Sequence, residues 1–175
     1  MPKINILHFS DFHLDKHYEK EAEQILSKMI TSVKSAGLAI DLVIFSGDMI
    51  NQGGESYGSI DEAFRKFEEI VINRLLSELN LTSDRFIFTF GNHDSYLSQR
   101  NIIGDEADDK KLTTETKVKQ FIYSNANDPY YLDRQKAVRE FRDNYYNAAF
   151  HNVNYFHTLF QANFKIDIKG VKVGI

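Results

Sequence analysis

Three short apolar runs punctuate the first half of the chain: INILHF (4–9), DLVIFS (41–46) and RFIFTF (85–90). Runs of this length, ended by small or acidic residues, read as buried strands. Between the first two, Ala22, Ile25, Leu26, Met29, Ile30 and Val33 recur at helical spacing with Glu and Lys interleaved, and Gly37 supplies a stop. Between the second and third, Ser59 and Glu62 match a capping box. Behind them Ile60, Ala63, Phe64, Phe67, Ile70, Val71 and Leu75 continue a helical stripe to about Leu79. The order β-α-β-α-β, with strands apolar throughout, predicts an α/β fold whose parallel sheet is covered on both faces.

The pattern changes after Asp94. Residues 95–130 are polar and weakly periodic, with a short helix expected near Thr114–Tyr123 and a stronger one from about Leu132 to Ala149. Strict alternation then sets in. Phe156, Phe160, Ala162, Phe164, Ile166 and Ile168 share one parity, Lys169-Gly170 signals a two-residue hairpin, and Val171, Val173 and Ile175 resume the pattern. This predicts one domain over 1–175, with 95–155 as a helical, cap-like insertion. The last apolar run predicts an exposed sheet edge at Val171–Ile175.

Composition narrows the function classes. A chain of 175 residues, 42% hydrophobic and 26% charged, is long enough for a real core. The net charge of −4 gives no global basic field for non-specific binding to nucleic acid or acidic membranes. There is no Cys, which excludes disulfides and thiolate metal sites. Neither a signal peptide nor a membrane span is legible, so a cytoplasmic location and no membrane partner are expected.

The chemistry lies at the strand ends. The first run leads to Asp11 and His13, the second to Asp48, and the third to Asn92, His93 and Asp94. Ligands of open α/β sheets bind beyond the carboxyl ends of parallel strands. Spacing of two in an extended segment would put Asp11 and His13 on one side, where they can share an ion. Asp48 is the natural bridge between two cations, and Asn92 offers a neutral oxygen to the second. Mixed oxygen and nitrogen ligation suits Mn, Fe or Zn, with Mn favoured. Two such ions can polarise a phosphoryl group, and His93 can protonate the leaving oxygen. Gly47 and Gly91, just before Asp48 and Asn92, would leave room for close approach of backbone and ligand.

SDFHL, SGDMIN and FGNHD, in this order and each at a strand end, resemble the D-x-H, G-D-x-x-N and G-N-H-D motifs of the calcineurin-like metallophosphoesterase superfamily. The resemblance implies an αββα sandwich with a dinuclear site that hydrolyses phosphate esters. By motif position it implies Asp11 and His13 on the first metal, Asp48 bridging, Asn92 on the second, and His93 as general acid. The family pattern continues with a later His and a Gly-His-x-His segment, which nothing after Asp94 matches. The expectation is therefore a domain incomplete at its C-terminus, with an incomplete second metal site, little turnover of its own, and further domains in a longer chain. Phosphodiesters, including nucleotides or nucleic acid, are the favoured substrates, with phosphomonoesters left open. The alternative is a non-catalytic interaction or regulatory module on the same scaffold.

Other polar residues invite plainer readings. Asp94 either orients His93 or closes a turn, and Asn51 reads as a turn residue. His8 reads as a hydrogen-bonded core residue, and Ser10 and Ser46 as small packing residues. His17, His151 and His157 match no ligand spacing. The acidic run 105–109 reads as a solvated loop, and Tyr130-Tyr131 and Tyr145-Tyr146 as packing.

Overall fold

The computed structural model describes residues 3–95, 112–125, 133, 135–150, 155–157 and 162–175. Strands β1 (Ile6–Phe9), β2 (Leu42–Ser46) and β3 (Phe86–Thr89) form a parallel sheet in the order β1-β2-β3. Register pairs Phe9 with Phe45 and Phe45 with Phe88, so all three strands end on one edge. A second sheet is antiparallel, in the order β4 (Tyr155–His157), β5 (Ala162–Ile168) and β6 (Val171–Gly174). The fold is mixed α/β, as the alternation of patterns predicts.

Helix α1 (Glu19–Ser35) begins with Glu19 and Glu21 and ends with Lys34, charges that suit the helix dipole. Gly37, at φ 66°, donates its N–H to the Lys34 carbonyl and stops the helix as expected. The helical region after Ser59 is less regular than its stripe suggests. Ser59 Oγ accepts the Glu62 N–H at 3.2 Å, which caps α2 (Ile60–Phe67). The Glu62 carboxylate engages Arg65. A π-helical turn, Glu68–Ile72, then leads into α3 (Asn73–Leu79), and the Asn73 N–H reaches the Glu68 carbonyl five residues back. Ile70, Val71 and Ile72 of this turn are all buried, a wider apolar arc than the stripe read from the sequence.

Aromatic contacts join these layers. Phe45 meets Phe9 at 4.9 Å and Phe67 of α2 at 5.3 Å. Helix α4 (Glu115–Asn125) is short, whereas α5 (Lys136–Phe150) enters the core. Tyr146 of α5 stacks on Phe88 at 4.7 Å and touches Phe164 of β5 at 4.7 Å, linking both sheets. So α5, placed by sequence within the 95–155 insertion, packs directly on β3. In β5, Phe164, Ile166 and Ile168 are buried and the residues between them are exposed. Lys169 and Gly170 have φ values of 54° and 79°, the pair of left-handed residues a tight hairpin needs.

Three sequence expectations are corrected. Strand β1 is not buried throughout, because it is an edge strand: Ile6 and His8 are exposed while Leu7 and Phe9 are half-buried. His8 accordingly is not in the core and pairs with Ser46 Oγ at 2.8 Å. Only Leu26 and Ile30 of the α1 stripe are buried, and Ile25 is 62% exposed. The last run does form a sheet edge as expected: among the described residues β6 is the outer strand, with Val171 and Val173 half-buried. Ile175 is 38% exposed although it pairs with Phe164 of β5 through two backbone hydrogen bonds. The acidic run, Tyr130-Tyr131, Phe160 and His151 lie outside the described residues. No helix among the described residues is long and apolar enough to cross a membrane.

Candidate metal centre

The loops after β1 and β2 run side by side beyond the parallel sheet. Asp11 N–H donates to the Gly47 carbonyl at 2.9 Å, His13 N–H to Asp48 at 3.0 Å, and Leu14 N–H to Met49 at 2.9 Å. This pairing holds Asp11, His13 and Asp48 at φ values of 56°, 47° and 58°. Left-handed backbone is costly for residues with a Cβ, though Asp and His tolerate it better than most. The expected extended segment carrying Asp11 and His13 is therefore not present. Two left-handed residues turn the chain instead, and the two side chains still meet, with His13 Nε2 4.0 Å from Asp11 Oδ1.

His13 Nε2 also lies 3.9 Å from Asp48 Oδ2. The His93 ring stands edge-on to His13, with centroids 4.6 Å apart. His13, Asp48 and His93 each offer one ligand atom within 4.8 Å of the others. The structure thus gathers residues from all three strand ends. Asp11 stands at the rim with its side chain 67% exposed, and its carboxylate takes the Ser10 hydroxyl. Asn92 is exposed beside His93 and lines a cavity of about 680 Å³ that runs past Phe88 toward Val138 and Phe164.

Asp94 supports this arrangement from beneath. It is fully buried, and its carboxylate accepts N–H groups from Gly91 at 2.8 Å, Asp48 at 2.9 Å and Ile50 at 3.0 Å. One side chain thereby ties the β3 loop to the β2 loop. The turn reading of Asp94 captures its bond to Gly91, but the two bonds reaching 44 and 46 residues away carry no local signal. Burial pushes the Asp94 carboxyl above its ordinary range and the Asp48 charge adds to this, against the lowering effect of the backbone amides.

Asp48 is fixed at both ends. Its N–H goes to Asp94, and its Oδ1 accepts the His93 N–H at 2.9 Å, which leaves Oδ2 facing His13. Gly91 makes this possible. A Cβ there would sit 2.1 Å from Asp48 Oδ1. The space expected for a ligand at Gly91 is taken by the Asp48 carboxylate, and a Cβ at Gly47 would meet the Gly91 backbone at 3.0 Å. Asn51 does more than turn the chain: its amide donates to Asp15 Oδ2 at 3.1 Å, and Asp15 caps the short helical turn at Lys16–Tyr18.

The donor set fits a divalent ion. Two imidazoles and a carboxylate converge without sulfur, and His93 Nδ1 is buried with no hydrogen-bond partner among the described residues. A buried ring nitrogen left unpaired costs free energy that an ion or its water can offset. Nitrogen and oxygen donors together suit borderline first-row metals better than Ca²⁺.

The strand ends of a parallel sheet gather mixed nitrogen and oxygen donors, an arrangement suited to a metal-dependent α/β enzyme. The family model for calcineurin-like phosphoesterases matches residues 4–167, and the chain belongs to that family. No curated protein sequence matches it. Metal-dependent hydrolysis of phosphate esters is the activity general to this family.

Proposed function

We propose that the protein hydrolyses phosphodiesters in preference to monoesters at a two-metal site, with nucleotides or nucleic acid as substrates. The observation that supports this most is the convergence of His13, Asp48 and His93 from three separate strand ends within 4.8 Å. In this reading Asp11 and His13 would hold one ion, with Asp48 shared and Asn92 on the second. His93, which lies within reach of the same site, would stay off both ions as the proton donor. Divalent ions, Mn favoured over Fe or Zn, would supply charge to polarise the phosphoryl oxygen and lower the pKa of the attacking water.

The chain's own residues do the rest. Asp94 and the His93 amide orient Asp48 before any ligand arrives, so little reorganisation is needed on binding. His93 lies against His13 at the centre of the site, where its imidazole can deliver a proton to the departing oxygen. The cytoplasm is the proposed compartment, and other domains of a longer chain are proposed as partners.

The test is Mn²⁺-dependent hydrolysis of bis(4-nitrophenyl) phosphate by the wild type and Asp48→Asn. Weak turnover in the wild type, in keeping with the incomplete second site, and its loss in the mutant are expected. Equal rates would remove Asp48 from the site. Metal binding with no turnover of any phosphate ester would point to a regulatory module.

A further inference from the structure

Beside Asp11 and His13 a groove of about 300 Å³ runs between the β1 loop and α1. It is continuous with the candidate metal centre, because both residues line it. Tyr18, Glu21, Ala22 and Ile25 fall at i, i+3, i+4 and i+7, so one face of α1 forms its outer wall. On that face Ala22 packs against the core, whereas Tyr18 is 64% and Ile25 62% exposed. Opposite them Phe12 lines the groove, braced edge-on by Phe67 at 5.9 Å. Its volume is at the low end for ligand sites and suits one ring system rather than an extended chain.

Charge narrows the occupant. Asp11, Asp15 and Glu21 line the groove, and no Lys or Arg does among the described residues. A phosphate placed here would face three carboxylates at close range. A neutral ring that presents N–H groups would gain acceptors instead, and the exposed phenol of Tyr18 offers a stacking face.

We propose that this groove seats a neutral aromatic base bearing N–H donors, of the guanine type, while the attached phosphoester lies at the metal centre. Tyr18 stacks on the ring, Ile25 and Phe12 exclude water from its edges, and the Glu21 carboxylate accepts its N–H groups. A nucleic-acid strand crossing this side would bring its next phosphate against the same carboxylates. The groove therefore selects single nucleotides or a terminal nucleotide over the interior of a strand. Its link to catalysis rests on the phosphodiesterase reading above, but its occupancy does not.

The experiment titrates guanosine into the metal-free protein and follows NMR chemical shifts. Saturable binding is expected, weakened at least about fivefold in Tyr18→Ala, the lower limit for a lost base–aromatic stack. Glu21→Gln should weaken guanosine binding by a similar factor, since the amide replaces one of the two acceptor oxygens with an NH2 donor that opposes the N–H groups of the base. Both residues are exposed, so neither variant threatens folding. Absence of binding, or equal affinity in Tyr18→Ala, would overturn the proposal, and indifference to Glu21→Gln would overturn its N–H recognition. Guanosine binding that persists in a protein unable to cleave bis(4-nitrophenyl) phosphate would support the groove while removing the phosphodiesterase reading.

Discussion

Gly91 and Asp48 occupy one space: a methyl group on Gly91 would fall 2.1 Å from Asp48 Oδ1 and 2.7 Å from its Cγ. The bare Cα of the β3 loop is what allows the β2 carboxylate to reach the His93 amide. Gly91→Ala is therefore expected to expel the Asp48 side chain and cost about 1–3 kcal/mol of stability. Mn²⁺ affinity should fall at least about tenfold. Calorimetric Mn²⁺ titration of the variant checks this, and unchanged affinity would mean the backbone can shift to make room.

The left-handed residues at the site point to a trade between stability and function. Asp11 holds φ 56° with an exposed side chain. Asp11→Gly removes the Cβ penalty and should raise stability by about 0.5–1 kcal/mol while weakening metal binding. Urea unfolding and Mn²⁺ titration of the same sample would show opposite signs.

Metal binding should itself stabilise the fold. An ion at a hundred times its Kd adds about 2.7 kcal/mol if the unfolded chain does not bind it. A rise in Tm with Mn²⁺, reversed by chelator and absent in Asp48→Asn, is the expected pattern. No shift in the wild type would count against a preformed site.

Tyr146 serves as a substitute strand for β3. Its hydroxyl accepts the Phe88 N–H at 2.7 Å and donates to the Phe88 carbonyl at 2.8 Å, with the side chain fully buried. Tyr146→Phe leaves both backbone groups unpaired and should cost about 2–4 kcal/mol in denaturant unfolding. A cost below about 0.5 kcal/mol would show that water replaces the hydroxyl.

One acid-sensitive contact ties the hairpin to the parallel sheet. Lys169 Nζ lies 2.7 Å from Asp41 Oδ2, and the Asn5 N–H donates to the same carboxylate oxygen at 2.9 Å. The hydrogen bond from Lys169, then that from Asn5, holds the Asp41 carboxyl below its ordinary range. A depressed carboxylate contributes stability above its unfolded pKa and loses it as pH falls through the folded value. Asp41→Asn should thus remove about 0.5–1 kcal/mol near neutral pH, allowing for the partly exposed Lys169. The difference from wild type should shrink between about pH 5 and pH 3. A difference that stays constant with pH would show that the charge contributes nothing.

Much of the site was legible along the chain because it sits where local patterns end. Asp11, His13, Asp48, Asn92 and His93 stand immediately beyond apolar strands, and a parallel sheet brings such ends to one edge. Their backbone conformations were not legible. A spacing of two suggested an extended arrangement for Asp11 and His13, yet hydrogen bonds to Gly47 and Asp48 in the next loop impose left-handed turns. Asp94 left two readings open, a turn and support for His93, because only its bond to Gly91 is local while its partners at Asp48 and Ile50 lie far away in sequence.

Sequence pattern by itself determined which segments become strands and helices, the stop at Gly37, the hairpin at Lys169-Gly170 and the order of the three strand-end motifs. These follow from side-chain spacing and the conformational preferences of single residues. Only the tertiary structure decided that β1 lies at an edge, that Ile25 and Tyr18 stay in solvent, that Tyr146 completes β3, and that Gly91 yields its volume to Asp48. Each of those outcomes depends on which distant backbone or ring arrives next to a residue. Hydrophobic pattern marks a face as apolar but does not say what will cover it.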